Sequence, residues 1–357
     1  MKGLPLLSLP DVVNTTLPYF KDRGQFHATF KYQRFHFLDE VFPKERMNVQ
    51  DGDMIDWTIV FRGNGSARHA GLYASRKERS QTSVVNRANA PWCFADAEAI
   101  YHDFELKANR GASRITNYIK TQYFAAYKDL AELIEKRAVL MPTDSSDTDN
   151  PRGLGWWIRM GTSGTVDYTG GFNGRLFRYA DGTTTSSAHG FDSVAEPMSR
   201  NWCANHQGMG LALTDTIRRG VIYTKFQPPR NVKEMYTGPT KKYRILSSLS
   251  YQEAYSRLVN LGPDNRNGDL SPFGTELNFM GIRWVGMPTL EDVSYNPVYC
   301  VDFDNFQPVV HSDVWLQEMD PMTDIDQPHV WVQRIDCWYN YMAANPREVG
   351  FVIHSTF

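Results

Sequence analysis

The residues best suited to chemistry lie late in the chain, where Asp320, Asp324, Asp326 and His329 follow His311, Asp313 and Glu318. Carboxylates and imidazoles at such spacing could hold a divalent cation in a loop. Pro321 and Pro328 favour a plainer reading, an exposed acidic turn before a strand. Gly63-Asn64-Gly65-Ser66-Ala67-Arg68 opens like a dinucleotide-binding loop, but Arg68 occupies the third glycine position and no helical pattern follows. His102 and Asp103 are neighbours in an extended run, and adjacent strand residues point to opposite faces, which separates a would-be acid/base pair. There is no GxxxxGK[ST] loop, GxSxG elbow or HExxH helix. The residues therefore assign no catalytic group, metal or cofactor, and the expectation is a protein that is not an enzyme.

A different chemistry is carried by charge. Arg68, Arg76, Lys77 and Arg79 meet only Glu78 as an opposing acid, so residues 68–79 form a basic stretch. Elsewhere Asp144, Asp147 and Asp149 make an acidic loop. One reading of the basic stretch is a solvated loop. The other is docking on an acidic surface of a neighbouring copy, with the 144–149 loop as acceptor, since complementary charge orients identical subunits.

Bulk properties narrow the classes. The chain has 357 residues, and Lys plus Arg (38) nearly balances Asp plus Glu (40). Such balance argues against a protein whose main task is gripping nucleic acid phosphates, yet permits a container that tolerates packed DNA. Cys93, Cys203, Cys300 and Cys337 show no metal spacing and read as buried free thiols in a reducing compartment. No apolar stretch reaches the ~18–20 residues of a membrane span, and the first residues lack a signal-peptide cleavage site. Aromatics make up 13% of the chain and include nine Trp, which suits packed sheets and subunit interfaces.

The elements that must position these residues follow from periodicity. Residues 1–45 show no sustained period and read as an extended arm. Ile55, Trp57, Ile59 and Phe61 alternate on one strand face, and the run from Ser83 to Phe94 is expected to return antiparallel, with the basic stretch at the tip between them. A long helix is expected over 111–141, capped near Ser113, with Ile115, Ile119, Ala126, Leu130, Leu133 and Ile134 as its buried stripe and Pro142 as its stop. Gly153-Leu154-Gly155-Trp156-Trp157-Ile158 reads as a strand and Gly170-Gly171-Phe172-Asn173-Gly174 as a turn. Helices follow at about 210–224 and from Ser250, where Glu253 would complete a capping box and Gly262-Pro263 would end the helix. Strands are expected at 282–285, 297–303, 329–341 and 350–354. The class is α+β, without regular alternation.

In this order the features resemble the major capsid proteins of tailed bacteriophages, with the Hong-Kong-97-type fold. The phrases carrying the resemblance are Ser113-Arg114-Ile115 leading into the long helix, Gly153 to Ile158, and Gly170 to Gly174. To these add Phe279-Met280-Gly281-Ile282-Arg283-Trp284-Val285 and Pro297-Val298-Tyr299-Cys300-Val301-Asp302. The resemblance implies an N-terminal arm (1–45) and an E-loop hairpin (46–100). It further implies a P-domain (101–205) holding the spine helix (111–141), an A-domain (206–324), and a return to the P-domain (325–357). It implies self-assembly of hexamers and pentamers into an icosahedral shell around double-stranded DNA contacted non-specifically. Expected partners are a separate scaffolding protein, a portal and a decoration protein, with no membrane. The expected location is the virion, with assembly in the host bacterial cytoplasm. Shells cross-linked through an E-loop lysine need a partner Asn and a catalytic Glu. Lys77 is the only lysine of the tip, and cross-linking is not expected. The alternatives are an encapsulin-type compartment, which shares the fold, and a Trp-rich carbohydrate-active hydrolase, which would need paired carboxylates in an aromatic cleft.

Overall fold

Continuous apolar runs build the strands at the middle of one large sheet, alternation builds β4 of the other, and one long apolar stripe builds the main helix. The computed structural model describes residues 35–43, 47–61, 69, 85–104, 112–161, 169–225, 243–260 and 277–355, with the backbone alone at 112–118 and 259–260. In chain order, helix α1 (His36–Glu40) and strand β1 (Asn48–Gln50) precede a hairpin of β2 (Ile55–Val60) and β3 (Val85–Ala90), then β4 (Cys93–His102). The long helix α2 (Ala112–Val139) and a helical turn, α3 (Leu154–Trp157), lead to β5 (Gly171–Gly174) and β6 (Phe177–Arg178). Next come β7 (Thr184–Thr185), β8 (Ser187–Ala188), β9 (Phe191–Asp192), β10 (Asn201–His206) and α4 (Leu211–Tyr223). The chain continues through β11 (Tyr243–Ser247), α5 (Leu249–Asn260), β12 (Leu277–Phe279), β13 (Ile282–Gly286) and β14 (Val298–Asp302). It closes with β15 (Phe306–His311), β16 (Gln317–Glu318), β17 (Met322–Thr323), β18 (Val330–Ala343) and β19 (Gly350–Ser355).

Two large sheets organise these elements. In the six-stranded sheet, β18 is central: β4 pairs antiparallel along it from Val330↔His102 to Tyr339↔Cys93, while β15, β16 and β17 also pair with it and β1 adds to β15. The seven-stranded sheet runs β12-β13-β11-β14-β19-β10-β5. Its alternate residues serve two cores. Trp202, Ile245, Trp284, Phe351 and Ile353 pack with Leu213, Ile217 and Val221 of α4 and Tyr255 of α5. Cys203, Leu246, Val285, Tyr299, Val301 and Val352 join the larger core on the other side.

Helix α2 places Ile119, Ala126, Leu130 and Ile134 in that larger core with Ala95, Ala99 and Tyr101 of β4. Leu133, expected in the same stripe, is instead 39% exposed, against 2% for Leu130. The reason is what lies opposite: Leu133 fronts a cleft lined by Asp129, Lys136, Pro288, Asp292 and Val293. The side chains of Ser113 and Ile115 lie outside the described residues.

Three local expectations are corrected. Gly153 to Ile158 is a turn of helix, not a strand, with Trp156 and Trp157 fully buried. A Cβ on Gly153 would lie 2.3 Å from the Leu140 carbonyl oxygen, so glycine lets this turn abut the end of α2. Gly171–Gly174 is a strand paired antiparallel with β10, not a turn. Helix α5 is capped by Ser248, whose Oγ accepts the Tyr251 N–H at 3.4 Å, and by Glu291, which accepts the Leu249 N–H at 2.9 Å. Glu253 pairs with Arg257 instead of closing a box with Ser250. Gly262 and Pro263 lie outside the described residues. The four cysteines are buried and free.

The strands of the two large sheets interleave along the chain. Strands β5 and β10 already belong to the seven-stranded sheet, β15 returns to the six-stranded one at Phe306, and β19 goes back to the seven-stranded one.

Candidate assembly surfaces

The hairpin of β2 and β3 is anchored at its root. Ile55 and Ile59 are buried, and Trp57 meets Trp157 at 5.7 Å while Phe61 meets Phe191 at 5.7 Å. The turn between β8 and β9 presses against β3: Asn89 N–H donates to the His189 carbonyl at 3.3 Å. Gly190 there has φ +79°, and a Cβ would lie 2.4 Å from the Arg87 carbonyl oxygen, so both conformation and space require glycine. Burial, with Arg152 adding to it, pushes the His189 imidazole down to about 4, so it packs neutral against Trp156 and Trp157. At the far end, Val60 and Val85 are exposed. Arg68, Arg76, Lys77 and Arg79, which fall between β2 and β3 in the sequence, are outside the described residues.

The acidic loop is described and holds itself together. Asp144 accepts the backbone N–H and hydroxyl of Ser146 at 2.8 and 2.6 Å. Asp147 accepts N–H bonds from Thr143 (2.7 Å), Asp149 (3.1 Å) and Asn150 (3.0 Å). Partial burial acts to raise its pKa, but the Thr143 and Asn150 bonds outweigh this and hold the carboxyl well below the usual carboxylate range. Arg152 clasps the loop from below, donating to the carbonyls of Asp147 (2.9 Å) and Asn150 (3.1 Å). Its own N–H donates to buried Asn340 at 2.8 Å, which fixes the loop to β18. The structure thus brings the three acids into one loop, with Asp147 committed to loop geometry. Asp149 is exposed and accepts the Thr148 hydroxyl at 3.2 Å.

A third surface escaped the sequence reading. Helix α2 covers one face of β4, and the other face is open. It carries Phe94, 62% exposed, and Ile100, 50% exposed. Phe94 meets Trp338 edge-on at 4.8 Å, and His311 is packed between Trp338 and Trp92. Asp96 and Asp336 are direct cross-strand partners of like charge, and next to them Glu98 pairs with Arg334 at 2.8 Å. Exposed Met322 of β17, opposite Val332, extends the apolar part. Cys93 to His102 alternates, but with apolar residues on both faces; that doubled pattern was the available signal.

The late acidic cluster does not converge. Among the described residues, no three His, Cys, Asp or Glu side chains are grouped as a metal set. Glu318 accepts the Tyr127 hydroxyl at 2.6 Å, and Asp324 accepts the Asp326 N–H at 3.3 Å. His102 accepts the Phe104 N–H at 3.1 Å. No described helix is long and apolar enough to cross a membrane.

The sequence matches no protein-family model and no curated protein. Its fold does have relatives. It is similar to the chain of the cyanophage A-1(L) capsid asymmetric unit, at 13% identity and TM-score 0.63, covering 94% of this chain and 96% of that one. It is similar to the capsid chain of Myoviridae phage XM1, at 12% identity and TM-score 0.53, covering 99% and 100%. It is also similar to the holo-SrpI encapsulin of Synechococcus elongatus PCC 7942, at 9% identity and TM-score 0.51, covering 95% and 94%. The chain has the Hong-Kong-97-type fold.

Proposed function

We propose that this chain is the major capsid protein of a tailed bacteriophage and that its role is structural. The observation that carries this reading is the end-to-end match of the fold with capsid chains, which spans nearly the whole of each. The open face of the six-stranded sheet supports it, since apolar area of this kind marks a surface awaiting a partner. In this reading the six-stranded sheet with α2 is the P-domain, the seven-stranded sheet the A-domain, and the β2–β3 hairpin the E-loop. Copies associate as hexamers and pentamers around double-stranded DNA, with a scaffolding protein, a portal and a decoration protein as partners. Assembly takes place in the host cytoplasm.

Within that shell, the basic tip docks on an acidic surface of the next copy. Arg76→Glu with Lys77→Glu is expected to impair assembly while leaving the subunit folded. Asp149→Lys in the same chain is expected to restore part of the loss if the 144–149 loop is the acceptor. Asp147 is a poor choice for that rescue, because its carboxylate holds the loop. Normal shells from the charge-reversed tip would overturn the docking.

The encapsulin neighbour supports a second reading, a compartment shell with the same fold. Particle contents separate the two: nuclease-protected DNA favours the capsid, and a single enclosed protein species without DNA favours the compartment.

A further inference from the structure

We propose that Glu135 is a proton-controlled latch, whose buried carboxyl group holds α1 on the long helix α2 and loosens its grip as it gives up its proton at rising pH. Glu135 is fully buried in α2, opposite the first turn of α1. Both its carboxyl oxygens accept the Phe37 N–H at 3.0 Å, and one also accepts the Leu38 N–H at 3.1 Å. The start of a helix leaves its first N–H groups without partners inside the helix, and here one side chain from another element satisfies them. The contact is sealed from water by Phe37, itself fully buried, which meets Phe303 at 5.6 Å and Phe306 at 6.3 Å.

Such a carboxylate is under two opposed influences. Burial favours the neutral acid, while N–H donors favour the anion. Among the described residues Glu135 has no ion-pair partner to settle the contest. From α1, Asp39 adds a like charge that favours the acid, and His36 contributes a backbone N–H. From β18, Tyr341 is a neutral phenol whose hydroxyl donates to the Ile134 carbonyl at 3.4 Å. On α2 itself, Glu132 is turned to Lys128 at 3.4 Å. Burial prevails and pushes the Glu135 carboxyl up to about 7.

The sign follows from linkage. Where release of the first turn lets water reach Glu135, its value falls back towards the ordinary 4.5, and the docked form then holds its proton more tightly than the released form. Docking is strongest below that value, weakens as the pH climbs towards about 7, and levels off above it. Other attachments of the segment do not involve this proton: Glu40 pairs with Arg244 at 2.9 Å and Arg283 at 3.4 Å, and Phe42 stacks on Trp315. The latch therefore governs the first turn of α1. It is a property of the single chain, so its failure and the failure of the shell reading are distinguishable.

The test is hydrogen exchange by mass spectrometry on the unassembled full chain between pH 5 and 8, corrected for intrinsic rates. Protection of the Phe37 and Leu38 amides is expected to fall by roughly tenfold or more relative to the Ile158 amide. In Glu135→Gln, which keeps an acceptor without a titrating proton, that fall is expected to vanish. Protection that is independent of pH in the natural chain, or a fall that persists in the Gln variant, would overturn the proposal. Should the variant fail to fold, an infrared titration of the natural chain decides. A buried carboxyl midpoint near 7 supports the latch, and none above the ordinary carboxylate range overturns it.

Discussion

In the seven-stranded sheet β14 hides every one of its residues, whereas β4 of the six-stranded sheet hides them alternately. The first pattern arises because α4 and α5 cover one face and the larger core the other. Sheets covered on both faces read as continuous apolar runs, and those covered on one face alternate. Here the alternation is incomplete, because Phe94 and Ile100 occupy the open face where polar residues would serve a lone molecule better. The seven-stranded sheet is covered on both faces within one chain, and the six-stranded sheet leaves one face of β4 uncovered. In the capsid reading proposed above, that face is where folding ends and assembly begins.

The largest effect should come from breaking the seven-stranded sheet. Phe351 is fully buried against Trp202, and Phe351→Ala is expected to cost ~3–5 kcal/mol in denaturant unfolding of the subunit. Next comes the long helix, where Leu130→Ala should cost ~2–5 kcal/mol. Leu133→Ala, at the cleft, should cost less than ~1 kcal/mol. Equal costs for the two would contradict the assignment of Leu133 to an open surface.

On the open face, Phe94→Ala should cost only about 1 kcal/mol, the scale of its edge-on contact with Trp338. Phe94→Glu with Ile100→Glu should leave the subunit folded by circular dichroism yet suppress assembly. Smallest of all is Asp336→Asn, which removes the like-charge pair with Asp96. It should raise subunit stability by ~0.2–1 kcal/mol at low salt. A stabilised subunit that assembles less well would sharpen the comparison, because it would show the acidic pair reserved for a basic neighbour.

Much of this arrangement was legible beforehand, and the gaps have physical causes. The long helix was readable from its apolar stripe, the antiparallel hairpin from the alternation of Ile55, Trp57 and Ile59, and strands β13, β14, β18 and β19 from extended runs rich in β-branched and aromatic residues. Leu133 misled because periodicity names the face of a helix and says nothing of what lies opposite each turn. Gly153 to Trp157 misled because a short apolar run has no period to distinguish a strand from a helical turn. The cap of α5 involves Glu291, more than forty residues away, and such contacts leave no local signal. The open face of β4 was hidden because pairing with β18 decides which residues share it, and register cannot be read from one strand. In the acidic loop, Asp144, Asp147 and Asp149 look equivalent in sequence. Only the fold shows that Asp147 is held by backbone N–H groups while Asp149 faces solvent.

The central claim is that copies of this chain complete one another on surfaces the single chain leaves open. The direct measurement is to purify the natural chain and the Phe94→Glu, Ile100→Glu chain under identical conditions, and to follow both by sedimentation and negative-stain imaging. The account predicts closed shells or capsomers from the natural chain and folded, unassembled subunits from the variant. A natural chain that stays monomeric across concentration and salt, even with its cognate scaffolding protein, would contradict it.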